Sequence, residues 1–441
     1  MYYKISALVV FVLVYGFLAI SKRYRATALW VGVLVLLLLG VYSADATGGV
    51  GQRAVASAVQ VFRLINWNVM GIFAGVLIVA EFFVLSKVPV RLSDILIDRS
   101  KNVGQAMLLV CLLTSVVSIF VENVVAVLII APLALQLSRR LKISAIPFLT
   151  GIAIASNLQG TATLIGDPPS MILAGEMNLS FNDFFFLNGK PSIFFAVQAG
   201  ALASFIVLWL VYRKYKQPTF YVEKEPVTSW VPTVLLAALV AALSTMPVLE
   251  RLGVHPPAGL VCMIFGAITF GWGMLRDRAE TLQVLRKYDY PTVSFLMGVF
   301  ALVGVLGLPH VGLIEDIQRL ITSLVGDSRL LAFLIIVGFS VMFSAFVDNV
   351  PYLTAMLPVV KGISMQETGM AWDPLLAFGL LVGACLGGNI TPVGAAANVV
   401  SVGLLRREGE HVGFWQFMKI GLPFTLAATV TASAFLWLVW K

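Results

Sequence analysis

Two acid–amide pairs, Glu122-Asn123 and Asp348-Asn349, stand in apolar sequence 226 residues apart. The surrounding stretch SIFVENV at 118–124 recurs as SAFVDNV at 344–350. A carboxylate inside a membrane is costly unless it faces protein or water, and such residues mark ion and proton paths. We therefore predict that Glu122 and Asp348 bind a coupling ion, either H⁺ or Na⁺. The structural alternative is a neutral carboxylate that only caps a helix.

A second repeated pattern is rich in glycine, threonine and asparagine. GTATLIG at 160–166 recurs as GNITPVG at 388–394, 228 residues later. Non-helical backbone at membrane depth is tolerated only where it lines a cavity or is buried in protein, so the breaks and the acidic pairs predict one polar chamber. The expected substrate-binding residues are Asn123, Asn157, Gly160, Thr161, Thr163, Asn349, Gly388, Asn389, Thr391 and Asn398. The alternative is that these small and polar residues only hold helices together.

Asp167 is a third candidate for ion coupling, because it directly follows the first of these breaks. It also precedes Pro168-Pro169, which suits it equally well to cap the second half of a broken helix. Glu81 lies in an apolar segment too, but its counterpart in the repeat is Leu308. It therefore lacks the symmetry of the acidic pairs and ranks below them.

The chain as a whole is strongly apolar. Of its 441 residues, 59% are hydrophobic and 12% charged, and its mean hydropathy is +0.95. Because soluble domains contain about 25% charged residues, we expect an all-α polytopic protein embedded in a lipid bilayer. The three cysteines lack metal-site spacing, and no ATP-binding P-loop motif occurs. We expect a transporter of a small inorganic solute, without cofactor or nucleic-acid partner, rather than an enzyme.

The basic residues predict on which side of the membrane each loop lies, since Lys and Arg concentrate in cytoplasmic loops. They cluster at 22–25, 87–101, 139–142, 213–216, 276–287 and 406–407. Placing these clusters inside predicts that the N-terminus and the C-terminus lie outside. We expect the membrane to be a bacterial inner membrane. Both flanks of segment 103–138 are then cytoplasmic, which requires a re-entrant hairpin or two short complete crossings.

The repeated motifs divide the chain into halves at 1–225 and 226–441. Each half is predicted to contain five crossings, one re-entrant hairpin and a broken transmembrane helix. Because five is odd, the second half is inverted relative to the first, as in many secondary transporters. The hairpins are expected at about 103–138 and 330–361, entering from opposite faces. The broken helices are expected at about 144–175 and 374–404.

Three stretches resemble the paired signatures of the ion transporter superfamily, which has a citrate-transporter-like domain: VENV at 121–124, ASNLQGTATLIGDPP at 155–169 and ACLGGNITPVGAAAN at 384–398. The likeness is greatest to the branch of arsenite efflux permeases and pink-eyed dilution proteins, where the first tip usually reads Asp-Asn. The resemblance implies a scaffold domain, a moving transport domain, elevator-like alternating access and a homodimer. Dicarboxylate carriers of the superfamily carry Ser-Asn-Thr at both tips, from which this chain departs.

The function expected from the acidic pairs and the resemblance is proton-coupled efflux of arsenite or a similar small inorganic oxyacid. A sodium/proton antiporter that uses the same carboxylates is the alternative. A dicarboxylate or other anion carrier is a weaker alternative, since two ionised acidic pairs would repel a dianion. A channel, or a membrane subunit driven by a separate ATPase, is an option from a different class.

Overall fold

The computed structural model describes residues 2–20, 24–43, 49–219, 224–325 and 328–441. In the first half of the chain the helices are α1 (Tyr2–Ile20), α2 (Arg25–Leu38), α3 (Val50–Leu64), α4 (Trp67–Leu85), α5 (Val88–Asp98), α6 (Val103–Ser118), α7 (Asn123–Leu141), α8 (Ile146–Gly160), α9 (Pro168–Met177) and α10 (Ile193–Tyr212). A short antiparallel pair of strands, β1 (Phe186–Leu187) and β2 (Lys190–Pro191), precedes α10.

In the second half the helices are α11 (Val231–Arg251), α12 (Ala258–Arg276), α13 (Arg278–Lys287), α14 (Tyr290–Gly304), α15 (Leu313–Val325), α16 (Arg329–Ser344), α17 (Asn349–Thr368), α18 (Pro374–Gly387), α19 (Ala396–Arg407) and α20 (Phe414–Trp440). Single turns of 3₁₀ helix lie at Val41–Ser43, Asn182–Phe184, Val305–Gly307 and Gly388–Ile390. The chain is thus almost entirely helical.

Seven helical spans in the described part of the chain are long and apolar enough to cross a membrane. They are Trp67–Leu85, Asn123–Leu141, Ile193–Tyr212, Val231–Leu249, Ala258–Arg276, Arg278–Gly307 and Phe414–Trp440. Shorter apolar helices accompany them, among them α1, α2, α6, α16 and α18. The prediction of an all-α polytopic architecture is confirmed.

Both segments predicted as hairpins fold as pairs of helices with a short joint. Residues 119–122 join α6 to α7, and residues 345–348 join α16 to α17. Each second helix begins directly after an acidic residue, because the side chain of Glu122 or Asp348 accepts a hydrogen bond from a first-turn amide. We call the acid–amide pairs Glu122-Asn123 and Asp348-Asn349 the two tips.

Both segments predicted as broken helices are interrupted in the structure. The first consists of α8 and α9, separated by residues 161–167, and the second of α18 and α19, separated by residues 388–395. Glycines allow the backbone to turn tightly in both gaps. A Cβ atom on Gly166 would lie 2.3 Å from the carbonyl oxygen of Gly160, and one on Gly394 would lie 2.5 Å from that of Gly388.

The helical pairs pack on the broken segments in the same way in both halves. Helix α6 packs against α8, and α16 packs against α18. Two further close pairs, α4 with α12 and α10 with α20, bring together helices from different halves. The tips therefore rest beside the breaks.

Candidate functional site

A cavity of about 720 Å³ lies between the two tips. All four tip residues line this cavity, although the two tips are 226 residues apart in the sequence. Its lining residues are Arg25, Ala26, Thr27, Glu122, Asn123, Val124, Asn157, Asp167, Pro168, Asp289, Tyr290, Pro291, Thr292, Ser294, Phe295, Leu296, Asp348, Asn349, Val350, Ala395, Ala396, Ala397, Val399 and Val400. The sequence-based expectation of one polar chamber has a direct counterpart in this cavity.

Six helices begin at the cavity wall. They are α2, α7, α9, α14, α17 and α19. A helix N-terminus carries a partial positive charge and unpaired amide hydrogens. These ends supply hydrogen-bond donors to oxygen atoms of a bound solute.

Each tip carboxylate accepts a hydrogen bond from a backbone amide at the start of its helix. Glu122 accepts a hydrogen bond of 3.3 Å from the amide of Val125, and Asp348 accepts one of 3.3 Å from the amide of Val350. They are therefore helix caps. Both also line the cavity, and ion coupling stays a prediction for them.

Asp167 has the capping role that was considered for it, and ion coupling stays a prediction for it. It caps α9, because its Oδ1 accepts a hydrogen bond of 3.0 Å from the amide of Ser170. Its side chain is almost completely buried, but it belongs to the cavity wall. Helix capping thus explains its position in the chain without removing it from the candidate site.

Three of the predicted amide ligands, Asn123, Asn157 and Asn349, line the cavity. Asn123 is fixed by Ser118, whose hydroxyl donates a 2.7 Å hydrogen bond to its Oδ1. Asn157 connects the two halves, since its Nδ2 donates to the Oδ1 atoms of Asn389 at 2.9 Å and Asn398 at 3.0 Å. These bonds orient polar groups from both halves around one space.

The other predicted ligands lie in the two breaks behind the wall. They are Gly160, Thr161, Thr163, Gly388, Asn389, Thr391 and Asn398, and none of them is among the described residues that line the cavity. The amide of Asn398 donates to the carbonyl oxygens of Gly388 and Thr391, both at 2.9 Å. Their polar groups thus hold the breaks in shape, and direct contact with substrate stays a prediction for them.

Matching hydroxyl groups attach each tip to its break. Thr163 donates a hydrogen bond to the carbonyl of Ile119, and Thr391 donates one to the carbonyl of Ala345. The two acceptors immediately precede the tips at equivalent places. Replacing either hydroxyl would free the start of a tip from the break that positions it.

The sequence did not single out Arg25, Thr292 and Asp289 as site residues, yet all three line the cavity. Arg25 was assigned only to a cytoplasmic basic cluster. Its Nη2 donates to the hydroxyl of Thr292 at 2.9 Å, and its Nη1 lies 3.5 Å from Oδ2 of Asp348. These residues belong to helices outside the repeated motifs, so no motif in the sequence marks them.

Comparison with known proteins adds an independent finding. A family model described as "Citrate transporter" matches residues 11–383. An uncharacterised transporter of Mycobacterium tuberculosis is 30% identical over 387 residues, which cover 85% of this chain and 86% of that protein. The P protein of Homo sapiens is 24% identical over 508 residues, which cover 93% of this chain but 59% of the P protein.

Among solved structures, the YdaH transporter of Alcanivorax borkumensis is similar in fold, with a TM-score of 0.61 at 16% sequence identity. The alignment covers 93% of this chain and 97% of that one. The MtrF protein of Neisseria gonorrhoeae gives a TM-score of 0.53 at 12% identity, over 93% and 94% of the two chains. Both likenesses concern the fold of membrane transporters.

Proposed function

This chain belongs to the citrate transporter family and is a secondary membrane transporter, and we propose that it exports arsenite or a similar small inorganic oxyacid in exchange for protons. The observation that carries this proposal is the pair of tip carboxylates, Glu122 and Asp348, which line one cavity together with three side-chain amides. Carboxylates bind protons, and amides bind the hydroxyl groups of a neutral oxyacid.

The charge of the cavity favours a neutral solute over a multiply charged anion. Glu122, Asp167, Asp289 and Asp348 line it, and Arg25 is the one basic side chain among its described lining residues. A free tricarboxylate or dicarboxylate would meet like charges in a medium of low dielectric constant. An uncharged oxyacid avoids that repulsion and still offers donors to the carboxylates and acceptors to the helix N-termini.

Alternating access in the proposal uses the two halves as inverted repeats. The equivalent contacts of Thr163 and Thr391, and of Ser118 and Ser344 with backbone carbonyls of the adjoining broken helices, support this arrangement. Each tip would move together with its broken helix as a unit. The proposed motion is elevator-like, with the cavity presented in turn to the two sides of the membrane.

The test is transport in everted membrane vesicles, or in liposomes containing the purified protein, under an imposed pH gradient. We expect arsenite to accumulate inside when protons are more concentrated inside, and to stop accumulating when a protonophore removes the gradient. Parallel assays with Na⁺ and with dicarboxylates measure the alternatives. Accumulation of a dicarboxylate but not of arsenite would contradict the proposal.

A sodium/proton antiporter is the second candidate, and the excess of carboxylates over basic side chains in the cavity wall favours it. Four carboxylates can exchange protons for a cation without any oxyacid. Growth of a sensitive bacterial host separates the two functions. The first predicts resistance to arsenite, and the second predicts resistance to high NaCl.

A further inference from the structure

Arg25 lies where two parts of the molecule meet. It stands at the first residue of α2, and its guanidinium packs over the ring of Phe295, 4.6 Å from the ring centroid, and donates to Thr292. Both of those partners belong to α14, which packs against α2. Arg25 is therefore held on the α2–α14 side of the cavity by two independent contacts.

The remaining contact of the guanidinium crosses to the second tip. Nη1 of Arg25 lies 3.5 Å from Oδ2 of Asp348, whose side chain is about nine-tenths buried. Helix α1 reaches the same place, because the hydroxyl of Tyr15 donates a 2.8 Å hydrogen bond to the carbonyl of Pro351. Among the described residues, an ion pair thus connects the second tip to α2, and a hydrogen bond connects the start of α17 to α1.

The titratable groups that the described residues place around Asp348 include one phenol and three carboxylates. Tyr15 faces it from α1, and Glu122, Asp167 and Asp289 lie in the same cavity wall at the starts of α7, α9 and α14. Arg25 is the basic side chain that this wall contributes within the described residues. Its charge is therefore matched to the ionised form of Asp348.

We propose that Arg25 is a latch that holds the second tip against α2 and α14 while Asp348 is ionised and the cavity is empty. A proton taken up by Asp348 removes the charge that Arg25 attracts and releases the tip. A neutral oxyacid releases it in another way, because its hydroxyl groups donate to Asp348 in place of the guanidinium.

This inference rests on the proposed exchange function, and it supplies what such exchange requires. In a strict exchanger the empty binding site must not move from one side of the membrane to the other. If it did, protons would flow down their gradient without driving export of the substrate. The ion pair opposes that one state, because the tip is free to move only with a proton or a substrate on Asp348. Arg25 is thus a positioning residue that controls coupling.

The first test measures hydrogen exchange of backbone amides in the peptide 344–352, after correction for the intrinsic pH dependence of exchange. In the wild type we expect this peptide to be protected at alkaline pH and less protected at acidic pH. Arg25→Gln should abolish that difference and speed exchange at alkaline pH by about fivefold, which is the upper range for partly exposed ion pairs. Arg25→Lys should keep part of the protection.

Matched variants show whether the effect comes from this ion pair. Arg319→Gln removes the same group from an exposed pair with Asp316 on α15 and should leave the peptide unchanged. The double variant Arg25→Gln/Asp348→Asn should exchange no faster than Asp348→Asn alone, since both lack the same interaction. Equal exchange in wild type and both Arg25 variants would overturn the latch.

The second test is flux in liposomes. Arg25→Gln should still carry arsenite down its gradient, but should lose at least about tenfold of the accumulation that a pH gradient drives. If exchange at the tip changes as expected and no arsenite is moved by the wild type, the proposed substrate is wrong and the latch stands. If accumulation by Arg25→Gln equals that of the wild type, the latch does not control coupling.

Discussion

At the scale of single residues, Glu122 and Asp348 each accept a hydrogen bond from a backbone amide, and both line the same cavity. The hydrogen bonds to Val125 and Val350 explain why an acid stands at the start of α7 and of α17. They do not explain why both acids face the same space. A capping role alone is met by Asn or Ser, which bring no charge toward the middle of a membrane.

Removing the tip charges should stop coupled transport without unfolding the protein. Glu122→Gln and Asp348→Asn keep a side-chain oxygen that can accept the capping bond, so we expect each to change the free energy of unfolding by less than about 1 kcal/mol. Both should abolish accumulation driven by a pH gradient, as measured in liposomes. Glu280→Gln, on the exposed surface of α13, is the control. Wild-type accumulation with unchanged pH dependence in both tip variants would show that these acids are structural.

Asn389 should matter for stability and for binding. It donates to the carbonyl of Ile154 at 3.3 Å and accepts from Asn157 at 2.9 Å, within a fully buried environment. Asn389→Ala removes both of these buried hydrogen bonds, which costs about 1–3 kcal/mol, and leaves Asn157 at the cavity wall with its bond to Asn398. We expect a lower melting temperature and a substrate affinity reduced roughly five- to 150-fold.

The control for Asn389→Ala is Thr114→Ser, which keeps the hydroxyl that bonds within α6. It should leave substrate affinity close to that of the wild type. Unchanged affinity in Asn389→Ala, despite a lower melting temperature, would assign Asn389 to structure alone and remove it from the predicted substrate site.

The sequence singled out the tips but not the opposite wall of the cavity. The repeated motif drew attention to Glu122 and Asp348 and to the asparagines that follow them. A charge that recurs in apolar sequence needs a reason beyond packing. Arg25 carries no such mark, since it stands in a basic cluster whose other members follow from membrane topology. Only the folded chain brings α2 to the second tip.

At the scale of elements, the breaks in the two interrupted helices hold the tips in position. Hydroxyl groups of Thr163 and Thr391 hold the residues before each tip, while close glycine contacts shape the gaps. A side chain in these gaps would push the backbone away from the carbonyl it touches. The shape of the cavity therefore depends on the absence of side chains at Gly166 and Gly394.

Gly394→Ala should destabilise the protein and reduce transport. Its Cβ would meet the carbonyl oxygen of Gly388 at 2.5 Å and that of Ala345 at 2.9 Å, and backbone atoms cannot move aside cheaply. We expect a loss of roughly 1–3 kcal/mol in the free energy of unfolding. Gly403→Ala is the matched control, because a Cβ there meets nothing within 4 Å inside α19. It should be neutral or stabilising by up to about 1 kcal/mol; equal effects of the two changes would contradict this account of the break.

Hydropathy located the long apolar helices but not the amphipathic ones. Helices α3 and α15 place their polar and apolar residues on opposite faces. Because polar residues interrupt the apolar ones, such a segment has a modest average hydropathy and contains no long apolar run. The short β1–β2 pair was also not predicted, because two residues per strand leave no periodic signal.

At the scale of the whole molecule, ion pairs join loops that the basic residues predict to share a membrane face. Arg139 pairs with Glu408, and Lys224 with Asp98, among residues predicted to be cytoplasmic. Lys4 pairs with Asp316, and Arg329 with Asp373, among residues predicted to be outside. The halves at 1–225 and 226–441, and their inverted orientation, stay predictions that these contacts support.

The orientation can be tested by labelling single cysteines at the bases of the two helical pairs. Lys101 precedes α6 and Ala371 follows α17, and both are exposed. The native residues Cys111, Cys262 and Cys385 are buried, so they should react little in the folded protein. In intact cells, a membrane-impermeant maleimide should label Ala371→Cys but not Lys101→Cys, and everted vesicles should show the reverse. Labelling of both positions from one side would exclude entry of the two helical pairs from opposite faces, and with it the inverted-repeat arrangement on which elevator-like access depends.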